Sequence, residues 1–193
     1  MDPVFTLQWP EFILANRLRK LLPKSEGYSV LVPVSRQEKG VDLAIVLKLP
    51  NRASRVATIQ VKASRTYTPE QPKRSSTRRY RYYTWFNRFE VPEDADFVFL
   101  FGMYAPQADK TTPVSSEWYR DFTLVFSFNE MHEFISNCFA VNGNPDRMFG
   151  FGFNDEEKIV QTRGDRQRLY KDFTEFSLAR RISQIKQSLE QGT

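Results

Sequence analysis

Cysteine and histidine are almost absent from this chain. Cys138 and His132 are the single copies of each among 193 residues. One cysteine forms no internal disulfide, and one cysteine with one histidine cannot supply the four ligands of a structural zinc site. The two stand six positions apart in a segment that reads as one helix, on different faces, which leaves a Cys–His catalytic pair without support. Long apolar runs are also missing. No stretch of about 18 apolar residues occurs, so no membrane-spanning helix is expected. The N-terminus lacks the basic, apolar and small-residue regions of a signal peptide, and the expected compartment is the cytoplasm. Glycine is sparse, at eight residues. There is no glycine-rich phosphate loop, dinucleotide fingerprint or Gly-x-Ser-x-Gly elbow, and no internal repeat. The length suits one domain spanning residues 1–193, with a substantial core.

What is present is positive charge in one place. The chain carries a net charge of +5. Residues 51–90 hold ten Lys or Arg against only Glu70 and Glu90, so this window is +8 and the remainder is −3. A polyanion would dock there.

One strand-like run precedes this window and a second lies within it. Gly40-Val41-Asp42-Leu43-Ala44-Ile45-Val46 and Thr58-Ile59-Gln60-Val61-Lys62-Ala63-Ser64 are rich in β-branched and apolar residues, and Pro50-Asn51-Arg52-Ala53-Ser54 between them is turn-like. A hairpin centred on Arg52 places Asp42 opposite Lys62, with Gln60 on the same face and Ile59 and Val61 turned to the core. A carboxylate, an amide oxygen and an ammonium then converge. Oxygen ligands of this kind suit Mg²⁺, which takes one or two carboxylates and keeps several waters. A lysine beside such an ion stabilises charge on a phosphoryl group. The plainer alternative is an exposed cross-strand ion pair.

Upstream, Pro10 to Pro23 has the start and stop signals of a helix. Leu14, Leu18, Leu21 and Leu22 form its apolar stripe, and Glu11 lies in register with Ala15, Leu18 and Leu22. A first-turn glutamate stabilises the helix dipole. It could also point across the sheet toward Asp42.

Glu11 on a first helix, Asp42 after a glycine, and Gln60-Val61-Lys62 on the following strand resemble the PD-(D/E)XK nuclease superfamily, in its Holliday-junction-resolvase-like and intron-associated endonuclease branches. The resemblance covers roughly residues 5–105. It implies an α/β, restriction-endonuclease-like αβββαβ core with a mixed sheet flanked by helices and an elaborated C-terminal half. It also implies a Mg²⁺- or Mn²⁺-dependent endonuclease acting on DNA. In that reading Asp42, Gln60, the Val61 carbonyl and Glu11 hold the metal, and Lys62 positions the nucleophile or stabilises developing charge. Two positions depart from the pattern. Val41 stands where proline is usual, and Gln60 where a carboxylate is usual. The Gln60 departure motivates a rival reading, a non-cutting nucleic-acid-binding module, and a third reading makes the chain an accessory subunit of a defence or repair assembly that docks through its C-terminal helix.

Further along, Ser64 to Thr77 reads as a loop. Arg79 to Phe89 reads as a strand in which arginine alternates with aromatic rings, a pattern of nucleic-acid surfaces and equally of a strand with one buried face. Arg65, Lys73, Arg74, Arg78, Arg79 and Arg81 are the expected phosphate contacts. The runs 96–104 and 122–128 read as buried strands, and Asn129 as the cap of a helix over 130–139. His132 is expected on the surface, Met148 to Thr162 as a small hairpin, and Asp155-Glu156-Glu157 as a solvated turn. A C-terminal helix is expected over about 165–190, packed on the domain or on a second subunit of a homodimer.

Overall fold

The computed structural model describes residues 9–33, 40–67, 80, 82–104, 120–154 and 158–192. Helix α1 (Trp9–Leu21) opens it, followed by strands β1 (Tyr28–Leu31), β2 (Leu43–Lys48) and β3 (Ser54–Tyr67). Then come β4 (Tyr82–Asn87), β5 (Phe97–Tyr104), β6 (Arg120–Ser127), helix α2 (Phe128–Ser136), β7 (Met148–Phe153), β8 (Ile159–Arg163) and helix α3 (Leu178–Gln191). The architecture is α/β with a mostly antiparallel, open sheet. Among the described residues no helix is long and apolar enough to cross a membrane.

β3 is the organising strand. It pairs antiparallel with β2 through its first half, parallel with β5 from Ile59 to Arg65, and antiparallel with β4 at Thr66 and Tyr67. β6 pairs with β5, and β4, β7 and β8 form an antiparallel extension. Alternation of side chains along these strands feeds two cores. Ile59, Phe97, Phe99, Phe101 and Val125 point to one side, where Leu14 and Leu18 of α1 and Ile185 and Leu189 of α3 cover them. Val98, Leu100, Phe122, Leu124 and Phe126 point to the other side, beneath Phe149, Phe151 and Phe153 of β7 and Met131 and Ile135 of α2.

Several sequence expectations change at element ends. The β2–β3 turn is centred on Asn51, not Arg52, because Lys48 pairs with Ser54. Asn51 Oδ1 accepts the Ala53 N–H and Arg52 takes a left-handed φ of 66°, which closes the loop one residue earlier. Strand β3 continues to Tyr67, past the expected loop start at Ser64. The connection from β3 to β5 carries β4 rather than a helix among its described residues. α2 is capped by Ser127, not Asn129: the Ser127 hydroxyl accepts the Glu130 N–H, and the Glu130 carboxylate accepts the Ser127 N–H. α3 begins only at Leu178. Before it, Asp165 accepts from the Gln167 and Leu169 amides, and Arg168 and Tyr170 adopt positive φ, which breaks any helix there. Phe173 and Phe176 consequently join the α2-side core, while Leu178, Ile185 and Leu189 fill the α1-side core of the same chain.

Candidate functional site at the open end of the β2–β3 pairing

β2 begins at Leu43, opposite Ile59, so β3 runs on past its partner. Buried backbone groups need partners, and Asp42 supplies them. Its N–H donates to the Ile59 carbonyl at 2.8 Å, and its Oδ2 accepts the Val61 N–H at 2.7 Å. In an extended residue the N–H and C=O face the same strand edge, so the Val61 carbonyl points toward the edge where the Asp42 carboxylate sits. The other Asp42 oxygen has no hydrogen-bond partner among the described residues. The approach to Asp42 passes through Gly40, whose φ of 92° is left-handed. A Cβ there would lie 2.5 Å from the Pro92 Cβ, so only glycine suits both the turn and the contact.

Gln60 and Lys62 point to the α2 side of the sheet, opposite Ile59 and Val61. The segment 88–96 is tied down along this part of β3. The Thr58 hydroxyl donates to the Asp94 carbonyl at 2.6 Å, the Thr58 N–H donates to Asp96 Oδ2 at 2.7 Å, and Phe89 lies under the Lys62 ammonium, 5.0 Å from ring centroid to Nζ. Gln60 is only 7% exposed, and its Oε1 has no hydrogen-bond partner among the described residues. An orphaned amide oxygen at this depth costs stability unless something fills its coordination. Lys62 makes no hydrogen bond or ion pair among the described residues, so its charge is held against the Phe89 ring alone.

The register corrects one expectation. Asp42 stands next to the Leu43–Ile59 pair and so opposite Gln60, not Lys62, because the turn closes one residue earlier. α1 raises a second point. Its stripe packs on the face to which Ile59 points, so the helix carrying Glu11 and the Gln60–Lys62 pair lie on opposite faces of the sheet. Arg65 is exposed on β3. Lys73, Arg74, Arg78, Arg79, Arg81 and the Asp155-Glu156-Glu157 turn lie outside the described residues. Of the β4 rings, Tyr82, Tyr83 and Phe86 are buried and Trp85 is half-buried, and Tyr82 and Phe86 serve the α2-side core.

Among the described residues no three His, Cys, Asp or Glu gather as a metal group. The donors at the open end are oxygens: the second Asp42 oxygen, the Val61 carbonyl and the orphaned Gln60 Oε1. This set carries one negative charge, which suits a hard cation that keeps waters or phosphate oxygens in its shell. Cys138 offers no rival chemistry. Burial pushes its thiol up to about 12, and its sulfur faces Gln161 Nε2 at 4.0 Å.

Sequence reasoning overlooked the segment after β4. Phe89, which seats Lys62, had no motif to mark it and lies 27 residues from it in sequence. Comparison of the chain with protein-family models, characterised proteins and solved structures found no match.

Proposed function

We propose that the chain hydrolyses phosphodiester bonds in nucleic acid with the help of a divalent cation, and that DNA is its substrate. The observation that carries this reading is the Asp42 carboxylate fixed on the Val61 amide, at the register position opposite Gln60, whose Oε1 is buried and unpartnered among the described residues. The order β1-β2-β3-β5-β6, with α1 before it and β3 parallel to β5, supports a restriction-endonuclease-like core. The departure is that the described residues between β3 and β5 carry β4 and no crossover helix.

Asp42, Gln60 Oε1 and the Val61 carbonyl would hold Mg²⁺ or Mn²⁺. Such an ion lowers the pKa of a bound water and neutralises charge on a phosphoryl group. The protein's own part is positional. The Val61 N–H orients the Asp42 carboxylate, the Thr58 contacts to Asp94 and Asp96 hold the segment 88–96 in place, and the Phe89 ring seats the Lys62 ammonium. Lys62 can then donate to a phosphate oxygen or to the attacking water. The basic window from Arg52 to Arg88 draws the polyanion to this place.

A second reading, a nucleic-acid-binding module that does not cut, is favoured by one observation. Asp42 is the only carboxylate among the three residues at this end of the sheet, and one of its oxygens is already bonded. Incubation with supercoiled, single-stranded and branched DNA separates the two. The nuclease reading predicts cleavage with Mg²⁺ or Mn²⁺ and none with EDTA. Binding without cleavage under every condition favours the module, and cleavage that continues in EDTA rules out the cation-dependent mechanism.

A further inference from the structure

A cavity of about 640 Å³ opens beside Phe89, lined among others by Arg88, Phe89, Glu90, Phe128, His132 and Arg147. Its volume is in the range that holds a small ligand. Three separate segments build it: the chain after β4, α2 along its length from Phe128 to Ser136, and Arg147 just before β7. A backbone hydrogen bond from the Arg88 N–H to the Arg147 carbonyl, 2.8 Å, ties the first to the third.

Its chemistry is mixed in a particular way. Phe128 and His132 stand four positions apart on α2, and their rings stack with centroids 6.1 Å apart and planes 25° apart. Phe89 forms another aromatic wall while also meeting Lys62 of the candidate site. Arg88 donates to the Cys138 carbonyl at 3.2 Å, which fixes its guanidinium at the cavity. Arg147 and Glu90 make no side-chain hydrogen bond or ion pair among the described residues. The cavity thus combines ring faces, an uncommitted guanidinium and an uncommitted carboxylate that do not neutralise one another.

We propose that this cavity binds one unpaired nucleotide of the substrate strand, with the base against the Phe128–His132 rings and its phosphate on Arg147. Ring faces stack bases of any sequence, and guanidinium pairs with phosphate. A carboxylate such as Glu90 accepts from the amino group of a base, which favours guanine over thymine, whose edge carries no amino group. Phe89 is shared by the cavity and Lys62, so a strand seated here passes its neighbouring phosphate beside the lysine. This subsite rests on the nucleic-acid reading above.

Calorimetric titration with 2′-deoxyguanosine 5′-monophosphate, with thymidine 5′-monophosphate, with inorganic phosphate and with a short single-stranded oligodeoxynucleotide tests it. The guanine nucleotide should bind at least tenfold more tightly than inorganic phosphate and more tightly than the thymine nucleotide. Arg147→Ala and His132→Ala, both at exposed positions, should each weaken nucleotide and oligonucleotide about tenfold without lowering the melting temperature, and Arg147→Lys should recover part of the loss. Nucleotide binding that is no tighter than phosphate, or that is unchanged in both alanine variants, overturns the proposal. If the nucleotide binds as stated but DNA is never cleaved, the subsite stands and the hydrolytic reading falls. If DNA is cleaved in a cation-dependent way but no nucleotide binds at the cavity, the hydrolytic reading stands and the subsite falls.

Discussion

Asp42 has two duties that a single substitution confounds. Its carboxylate satisfies the Val61 amide at the point where β3 outruns β2, and it is the one charged oxygen donor of the candidate site. The sequence suggests a surface carboxylate whose loss hardly affects folding. The hydrogen bond to a partly buried amide says otherwise. Asp42→Ala should cost about 1–3 kcal/mol by leaving that N–H unpaired, whereas Asp42→Asn, which keeps an acceptor oxygen, should cost clearly less. Denaturant titration of the two variants checks this. Gln60 presents the converse case. A carboxylate at a position 7% exposed is penalised by burial, so Gln60→Glu should melt below the parent in EDTA. If the Gln60 oxygen faces a cation, Mg²⁺ should raise the melting temperature of Gln60→Glu by more than that of the parent. Equal responses would remove Gln60 from the ligand set.

At the scale of elements, strands and helices were legible where periodicity was strong, and their ends were not. The apolar stripe of α1 and the β-branched runs of β2 and β3 mark those elements directly. The true β2–β3 register depends on the Asn51 side chain closing the turn and on the left-handed Arg52, a choice that hydrophobic pattern alone leaves one residue uncertain. The same holds for α3. Phe173 and Phe176 fit a helical stripe by spacing, yet the Asp165 and Asp172 side chains bond nearby amides and hold the preceding chain out of a helix. Side-chain capping also gives β7 its start. Asp146 accepts the Met148 N–H at 3.1 Å and two hydrogen bonds from the Arg163 guanidinium of β8, at 3.0 and 3.2 Å. Burial by itself would raise the Asp146 carboxyl, but the Arg163 and backbone bonds outweigh it and hold it below its ordinary value. The unfolded chain therefore takes up this proton more readily than the folded one. The contribution to stability is complete above the unfolded pKa of about 3.9 and disappears as pH falls through the lower folded value. Asp146→Asn should be less stable than the parent at neutral pH, with the gap closing below about pH 4. A gap that stays constant down to about pH 2 would contradict this assignment.

For the whole molecule, the candidate site lies where two packing problems meet. The helices α1 and α3 cover one face of the sheet, and α2 with the β4–β7–β8 extension covers part of the other, the side to which Gln60 and Lys62 point. Sequence spacing put Asp42 across from the Gln60–Lys62 stretch of β3, though opposite Lys62 rather than Gln60. It could not show that the helix of Glu11 packs behind the sheet, because a helical stripe says which face is buried and not which side of a sheet receives it. Nor could it show the 88–96 segment against Thr58 and Lys62, a contact between stretches distant in sequence. The central claim is that Asp42 and Lys62 act on a phosphodiester. The most direct test is the single-turnover cleavage rate of DNA in Mg²⁺ for the parent, Asp42→Asn and Lys62→Ala, each first shown to be folded and to bind the DNA. Loss of a group that stabilises transition-state charge costs about 10²-fold or more, so both variants should fall by at least that factor while binding is retained. Either variant cleaving at the parental rate would contradict the claim.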